Sequence, residues 1–208
     1  MNKLVIIGGG GFGREVAWLV ERINKTKPTW DLVGFVDDNK NLQGTSVGSY
    51  KVLGDCEWLN SQEDTYYAVC AIGAAKVRKI VINKLKNIKF ATLIDPKVEI
   101  SDSVEVGSGS IICAGSIVTV DIVIGSHVIV NLDCTVGHDV IIKDFVTLYP
   151  SVNVSGNVIL GECVEMGTGS KIIQGLNVID NTIIGAGAVV VKNIFEVGTY
   201  VGVPVTRI

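Results

Sequence analysis

The rhythm of apolar positions along this chain changes once, near residue 93. In the first part, short aliphatic runs alternate with helical spacings. Residues 4–7 (LVII) read as a buried strand, and Phe12, Val16, Leu19/Val20 and Ile23 then recur at the intervals of an amphipathic helix that Lys27-Pro28 closes. Residues 32–36 predict a second strand ending at Asp37-Asp38, and residues 67–72 predict another. Val77, Ile80/Val81 and Leu85 mark a second amphipathic helix, and residues 88–93 lead out. Strand–helix alternation of this kind predicts a small parallel sheet, a Rossmann-like α/β domain over residues 1–92.

From Ile94 the period becomes six. Stepping by six from Ile94 to Val190 meets seventeen positions, and every one is aliphatic or Met. The next position carries six glycines, and the fifth is small or β-branched nearly throughout. A period of six fits neither the helical 3.6 nor the strand's two. It predicts an all-β parallel β-helix over residues 93–208, with one flat side per hexapeptide and three sides per coil. First-position aliphatics point inward, second-position glycines ease the corners, and polar third and fourth positions such as Asp121 face outward. Residues eighteen apart then stack on one another, in just over five coils.

Composition agrees with a strand-dominated chain. Hydrophobic residues make up 48% but aromatics only 6%, and 33 Val and 25 Ile outnumber 12 Leu. A net charge of −3 leaves no footprint for nucleic acid or an anionic membrane. Mean hydropathy is +0.44, yet the most apolar stretch, residues 111–132, carries Ser116, Thr119, Asp121, Ser126, His127 and Asn131, too many polar groups for a membrane span. The N-terminus reads as a first strand, not a signal peptide. Five cysteines without paired spacing (Cys56, Cys70, Cys113, Cys134, Cys163) read as free buried thiols of a cytoplasmic protein.

Two places carry candidate chemistry. The loop Gly8-Gly9-Gly10-Gly11-Phe12-Gly13 satisfies G-x-G-x-x-G between the first strand and the first helix. Its bare backbone admits a phosphate to the helix N-terminus, while Asp37 and Asp38 could hold a ribose or a base edge. Gly73 lies at the same sheet edge, and Lys76 and Arg78 stand either to meet phosphate or on a solvated helix face. About ninety residues suit a single nucleotide-linked ligand better than a dinucleotide. The second place is His138, followed by Asp139. His127 is the only other histidine, and it reads as a surface or interface residue.

The hexapeptide pattern resembles the left-handed β-helix acyltransferases. Its pairing with the Gly-rich domain, from residues 4–8 (LVIIG) through Phe35-Val36-Asp37-Asp38 and Ala71-Ile72-Gly73 to Gly202-Val203-Pro204, is similar to the NeuD/PglD-type sugar acetyltransferases. The resemblance implies acetyl-CoA as co-substrate without a metal. It also implies a homotrimer with sites between subunits, and an N-terminal domain that holds a sugar nucleotide through Gly10, Gly11, Phe12, Asp37, Asp38 and Gly73. It makes His138 the general base, with Asp139 as its partner, and maps acetyl-CoA contacts to Thr147, Gly156, Thr168 and Ala186. Thr147 stands where one branch has a second histidine, and Phe12 where the Gly-rich loop often has one. Coil arithmetic separately stacks Gly156 on His138, so its N–H could meet a thioester oxyanion; the alternative is a corner glycine kept for its backbone angles.

The expected reaction is direct N-acetylation of a UDP- or dTDP-linked 4-amino sugar in a ternary complex. The alternatives are O-acetylation of sialic acid or another sugar, and a non-catalytic nucleotide-binding scaffold. A zinc-dependent β-helix hydratase would need three histidines, and the chain has two.

Overall fold

The computed structural model describes residues 1–62 and 65–208. The chain divides into two compact units, residues 1–73 with 77–96, and residues 74–76 with 97–208.

The first unit is built on β1 (Asn2–Ile7), whose residues 4–7 are buried. After β1 comes α1 (Gly11–Thr26), then β2 (Trp30–Val36), β3 (Ser46–Val47), β4 (Tyr50–Gly54), α2 (Cys56–Asn60), β5 (Tyr67–Cys70), α3 (Ala75–Ile82), β6 (Lys89–Phe90) and β7 (Leu93–Ile94). The sheet order is β3-β4-β2-β1-β5-β6, parallel except for the β3–β4 hairpin. In α1 the residues Gly13, Val16, Ala17, Leu19 and Val20 are buried, so Val16, Leu19 and Val20 of the expected stripe face the core, while its ends Phe12 and Ile23 are only half-buried. Its N-cap is Gly10, with no side-chain cap and no acidic residue in the first turn, so the terminal N–H groups stay available to an anion. Gly13 is required by packing, because a Cβ there would collide with the carbonyl oxygen of Gly8.

Sequence patterning misses the hairpin and α2. β3 has only two residues and buries neither, so it lacks an apolar run. α2 does carry a signal, because Asp55 caps it by accepting the Trp58 N–H at 2.9 Å.

In the second unit, sixteen two-residue strands among the described residues run from β8 (Glu99–Ile100) to β23 (Val189–Val190). They wind into a left-handed parallel β-helix. Three stacks form its sides, one of them ordered β23-β20-β17-β14-β11-β8, and partners are eighteen residues apart, as in Val118↔Val136↔Val154. From Ile112 to Val190, every first-position side chain is at most 2% exposed, and fifth positions from Ser110 to Val164 are fully buried. Each aliphatic of this column is worth about 1.5–3 kcal/mol of burial. A β24 (Thr199–Val201) and β25 (Thr206–Arg207) hairpin pairs with β22 (Ile183–Ile184) and ends the stack.

The corners correct one expectation. Second-position glycines do not supply unusual backbone angles; they let adjacent coils approach. A Cβ on Gly137 would lie 2.7 Å from the Gly156 nitrogen, and one on Gly167 would lie 2.6 Å from the Ala186 nitrogen. Positive φ belongs to the fourth position instead, at every hexapeptide from Gly109 to Gly187. Nine of these fourteen residues are not glycine, and five of the nine are Asp or Asn, which tolerate the left-handed region.

Candidate functional site

His138 and Asp139 occupy the third and fourth corner positions after β14 (Thr135–Val136). Asp139 adopts φ 59°, which turns its carboxylate beside the preceding ring. His138 Nδ1 lies 2.7 Å from Asp139 Oδ2, with the two side chains 59% and 54% exposed. A carboxylate accepts only, so Nδ1 is the donor; in the neutral ring the lone pair then lies on Nε2, the arrangement a general base needs.

Gly156 follows β17 (Asn153–Val154), which pairs with β14 in the eighteen-residue register. It is buried beneath the imidazole, and a Cβ there would lie 2.5 Å from His138 Nε2 and 2.6 Å from Cε1. Its φ is not in the positive region, so it is glycine because the ring lies on it and not for its backbone angles. Among the described residues its N–H meets no acceptor, whereas the neighbouring Asn157 N–H donates to the His138 carbonyl at 2.8 Å.

The first unit holds a cavity of about 560 Å³ at the carboxyl edge of its sheet. Gly10, Gly11, Phe12, Asp37 and Asp38 all line it, as expected together from sequence. Nothing lies within 4 Å of a Cβ built on Gly10, and only Arg14 approaches Gly11, at 3.9 Å. The protein itself therefore does not require these two glycines, and their bareness opens the cavity floor to a ligand. Asp37 is partly committed, since its oxygens accept the Gly9 and Asn39 N–H groups at 2.8 Å each. Asp38 accepts the Cys56 N–H at 3.0 Å and Lys84 Nζ at 2.8 Å. The Lys84 ammonium is the main cause of an Asp38 pKa lowered from 3.8 to about 2.

Sequence reasoning misses Lys84 and misreads the α3 face. Val77 and Ile80 look like core residues by spacing, yet they are 49% and 60% exposed and form an apolar wall of the cavity. Gly73 does not line the cavity; its carbonyl and that of Ile72 accept Arg78 Nη1 at 2.9 and 2.6 Å. Arg78 is 1% exposed, so it is neither a solvated residue nor placed to meet a phosphate, and only Lys76 of that pair is exposed.

The residues mapped to acetyl-CoA are not gathered on this chain. Thr168 and Ala186 are exposed and stack on one corner, after β19 (Glu165–Met166) and β22, whereas His138 and Gly156 share a different corner. Thr147 is fully buried, which removes its side chain from direct contact with a soluble ligand. His127 is not a surface residue. It is 7% exposed and stacks on Phe145, with ring centroids 5.2 Å apart. All five cysteines are buried free thiols, and burial pushes Cys56 and Cys70 up to about 12 and Cys134 up to about 11, so these three stay protonated at neutral pH. Among the described residues, no helix is long and apolar enough to cross a membrane.

Comparison with known proteins identifies the family. Residues 3–85 match the family model of the PglD N-terminal domain. GDP-perosamine N-acetyltransferase of Escherichia coli O157:H7 is 31% identical over 179 residues, covering 85% of this chain and 80% of that protein. The acetyltransferase domain of PglB from Neisseria gonorrhoeae FA1090, in complex with acetyl coenzyme A, superposes with a TM-score of 0.91 at 33% identity over the whole of both chains. PerB from Caulobacter crescentus, in complex with CoA and GDP-perosamine, gives a TM-score of 0.84 at 29% identity, covering 100% of this chain and 97% of that one. These likenesses span both units, and the chain belongs to the NeuD/PglD-type family of sugar acetyltransferases, acyltransferases that use acetyl-CoA.

Proposed function

We propose that this chain transfers the acetyl group of acetyl-CoA to the amine of a nucleoside-diphosphate-linked 4-amino sugar, with His138 as general base. The observation that carries the reading is the hydrogen bond from His138 Nδ1 to Asp139, which leaves Nε2 to accept a proton on an exposed edge. The sugar amine attacks the thioester carbonyl and the C–S bond breaks. The amine proton passes to Nε2, and the CoA thiolate leaves. The Gly156 N–H, without an acceptor among the described residues, supplies a donor for the oxyanion beside that imidazole.

The nucleotide sits in the cavity of the first unit, with its diphosphate at the uncapped N-terminus of α1. Relatives that act on or bind GDP-perosamine support an amino group as acceptor, hence N- over O-acetylation, and widen the expected base beyond uracil and thymine. A homotrimer is part of the proposal. Thr168 and Ala186 occupy one corner of the β-helix and His138 another, so a second copy would bring the two sets to one thioester.

The test is release of CoA thiol from acetyl-CoA with a panel of nucleotide-linked 4-amino sugars. Turnover of at least one is expected, and His138→Ala should lower kcat by about 10²-fold or more with an unchanged circular dichroism spectrum. No turnover of any amino sugar, or near-full activity in His138→Ala, overturns the proposal.

A further inference from the structure

At two corners of the β-helix the third-position N–H is answered by a side chain instead of a carbonyl. The Ser126 N–H donates to Asp144 Oδ1 at 2.7 Å, and the Glu162 N–H donates to Asp180 Oδ1 at 2.8 Å. In both, the acceptor belongs to the third-position residue one coil on, so this N–H points outward and toward the next coil. Each carboxylate lies against a second-position glycine, since a Cβ on Gly125 or Gly161 would stand 2.4 Å from the bonded oxygen.

The same step on the edge of the proposed base runs from Gly156 to Gln174. There β17 pairs with β20 (Lys171–Ile172), and the Gly175 N–H donates to the Gly156 carbonyl at 3.0 Å, which fixes Gln174 as the side chain one coil beyond Gly156. Gln174 is exposed, and its carboxamide makes no hydrogen bond among the described residues. The residue before Gly156 is Ser155, not glycine, so its Cβ fills the inner place that the carboxylate oxygens take at Gly125 and Gly161. An acceptor for the Gly156 N–H therefore stands farther out, between Gly156 and the end of the Gln174 side chain. The imidazole is beside it, because a Cβ on Gly156 would lie 2.5 Å from His138 Nε2.

We infer that the Gln174 carboxamide is a second donor to the thioester oxygen, paired with the Gly156 N–H. This rests on the thioester lying at His138, as proposed above. On the other edge the side chain one coil on supplies the oxygen that the N–H meets. Here the substrate supplies that oxygen, and the side chain one coil on meets it from the opposite side. Gln is one methylene longer than Asp and ends in an NH2 with two donors. With coils about 4.8 Å apart, its Nε2 reaches hydrogen-bond distance, about 3 Å, of an oxygen held by the Gly156 N–H. As the amine attacks, the carbonyl π pair moves onto that oxygen, and both N–H groups meet the negative charge without giving up a proton. The pair returns as the C–S bond breaks. An Asp or Glu at 174 would set a carboxylate against the same charge.

Steady-state kinetics of CoA release by the full chain, with Gln174→Ala, Gln174→Glu and His138→Ala beside the parent, test the inference. Loss of one donor from such a site lowers kcat by about 10²-fold, so Gln174→Ala should fall by about that factor. Its KM for acetyl-CoA should stay within about threefold, because the bond strengthens only in the transition state. Gln174→Glu keeps the shape and exchanges the donor for a carboxylate oxygen, so it should fall at least as far. Tm should move by no more than a few degrees in either variant, since the side chain is exposed. A role in shape or packing would treat Gln and Glu alike, so a Gln174→Glu kcat within about threefold of the parent overturns the inference. So does an unchanged kcat in Gln174→Ala, and a raised one would show that the amide obstructs the Gly156 N–H instead of assisting it. A large fall in Tm with the loss of rate assigns Gln174 to the fold and overturns it too. An inactive His138→Ala beside unaffected Gln174 variants leaves the general base standing, whereas near-full activity in His138→Ala, or a parent that turns over no amino sugar, removes the proposed function and this inference with it.

Discussion

Replacing Gly156 by Ala separates two roles that the glycine could play beside His138. The substitution keeps the backbone N–H, so a donor to the oxyanion survives, and φ at this position is not in the left-handed region, so alanine brings no backbone strain. What changes is space. The new Cβ would lie 2.5 Å from His138 Nε2 and 2.6 Å from Cε1, where ordinary contact begins at 3.4 Å. The ring must therefore move by about 1 Å, and it can, because the side chain is 59% exposed. A displacement of about 1 Å at a reacting group costs about 10²-fold in rate. The conformational cost of moving an exposed ring is about 0.5–1.5 kcal/mol at most. Steady-state kinetics of CoA release should show kcat lower by about 10²-fold, with Tm changed by no more than a few degrees. A kcat within threefold of the parent would refute the claim that Gly156 sets the position of the base. A large fall in Tm would show instead that the glycine is needed by the fold.

Two further outcomes follow from the remaining geometry. Asp38 has a folded pKa below its ordinary value, so the stability it gains from Lys84 is present above about pH 4 and is lost as pH falls toward 2. Acid titration of the parent and Lys84→Ala should therefore show a small difference at pH 5 that shrinks below pH 4 and is gone near pH 2, and a constant offset across that range would contradict this linkage. Within the β-helix bore, the Thr182 hydroxyl is fully buried and meets no partner among the described residues. Thr182→Val keeps the shape and removes the polar atom, so it should be neutral or stabilising by about 1 kcal/mol, and a Tm lowered by several degrees would show that the hydroxyl is satisfied.

The β-helix was legible in the sequence because its physics repeats. One inward aliphatic every six residues, stacked at eighteen, leaves a period that neither a helix nor an ordinary strand produces, and the observed register reproduces it pair by pair. The His138–Asp139 pair was easy to single out because the chain has only two histidines and one stands next to an acid at a corner, while the role proposed for it came from the family resemblance. The corner chemistry itself was not, because a positive φ at the fourth position is shared by Asp, His, Phe, Ser, Asn, Cys and Gly, a set with no common side-chain signature. In the first unit, the Gly-rich loop announced through its glycines the cavity that it lines. Lys84 did not, because it meets Asp38 across 46 residues and no local spacing encodes that pairing. Val77 and Ile80 misled for a related reason, since an apolar stripe reads alike whether it faces a core or a ligand cavity.

The position of the proposed base within the repeat explains why such a coil tolerates chemistry on its edge. First and fifth positions fill the bore, and the strand backbones are consumed by the ladder between coils, so neither can change without loss of stability. The side chains of His138 and Asp139, at the third and fourth positions, lie outside both. Asp139 keeps one ladder bond through its N–H to the Val120 carbonyl, at 3.2 Å, yet its side chain supports no packing. A residue in the left-handed region at the fourth position turns the chain regardless of its side chain, and that turn sets its functional group beside the third-position group. Along the edge that carries His138 the fold thereby exposes such pairs as Val120 with Asp121 and His138 with Asp139, whereas the fourth-position residues His127, Phe145 and Cys163 of another edge are buried. Only the histidine followed by an acid, over a glycine eighteen residues on, sets an exposed ring with Nδ1 bonded to a carboxylate. Stability and the proposed catalysis thus fall to different positions of the same hexapeptide, which is why a substitution at Gly156 can be read as a change in rate rather than in folding.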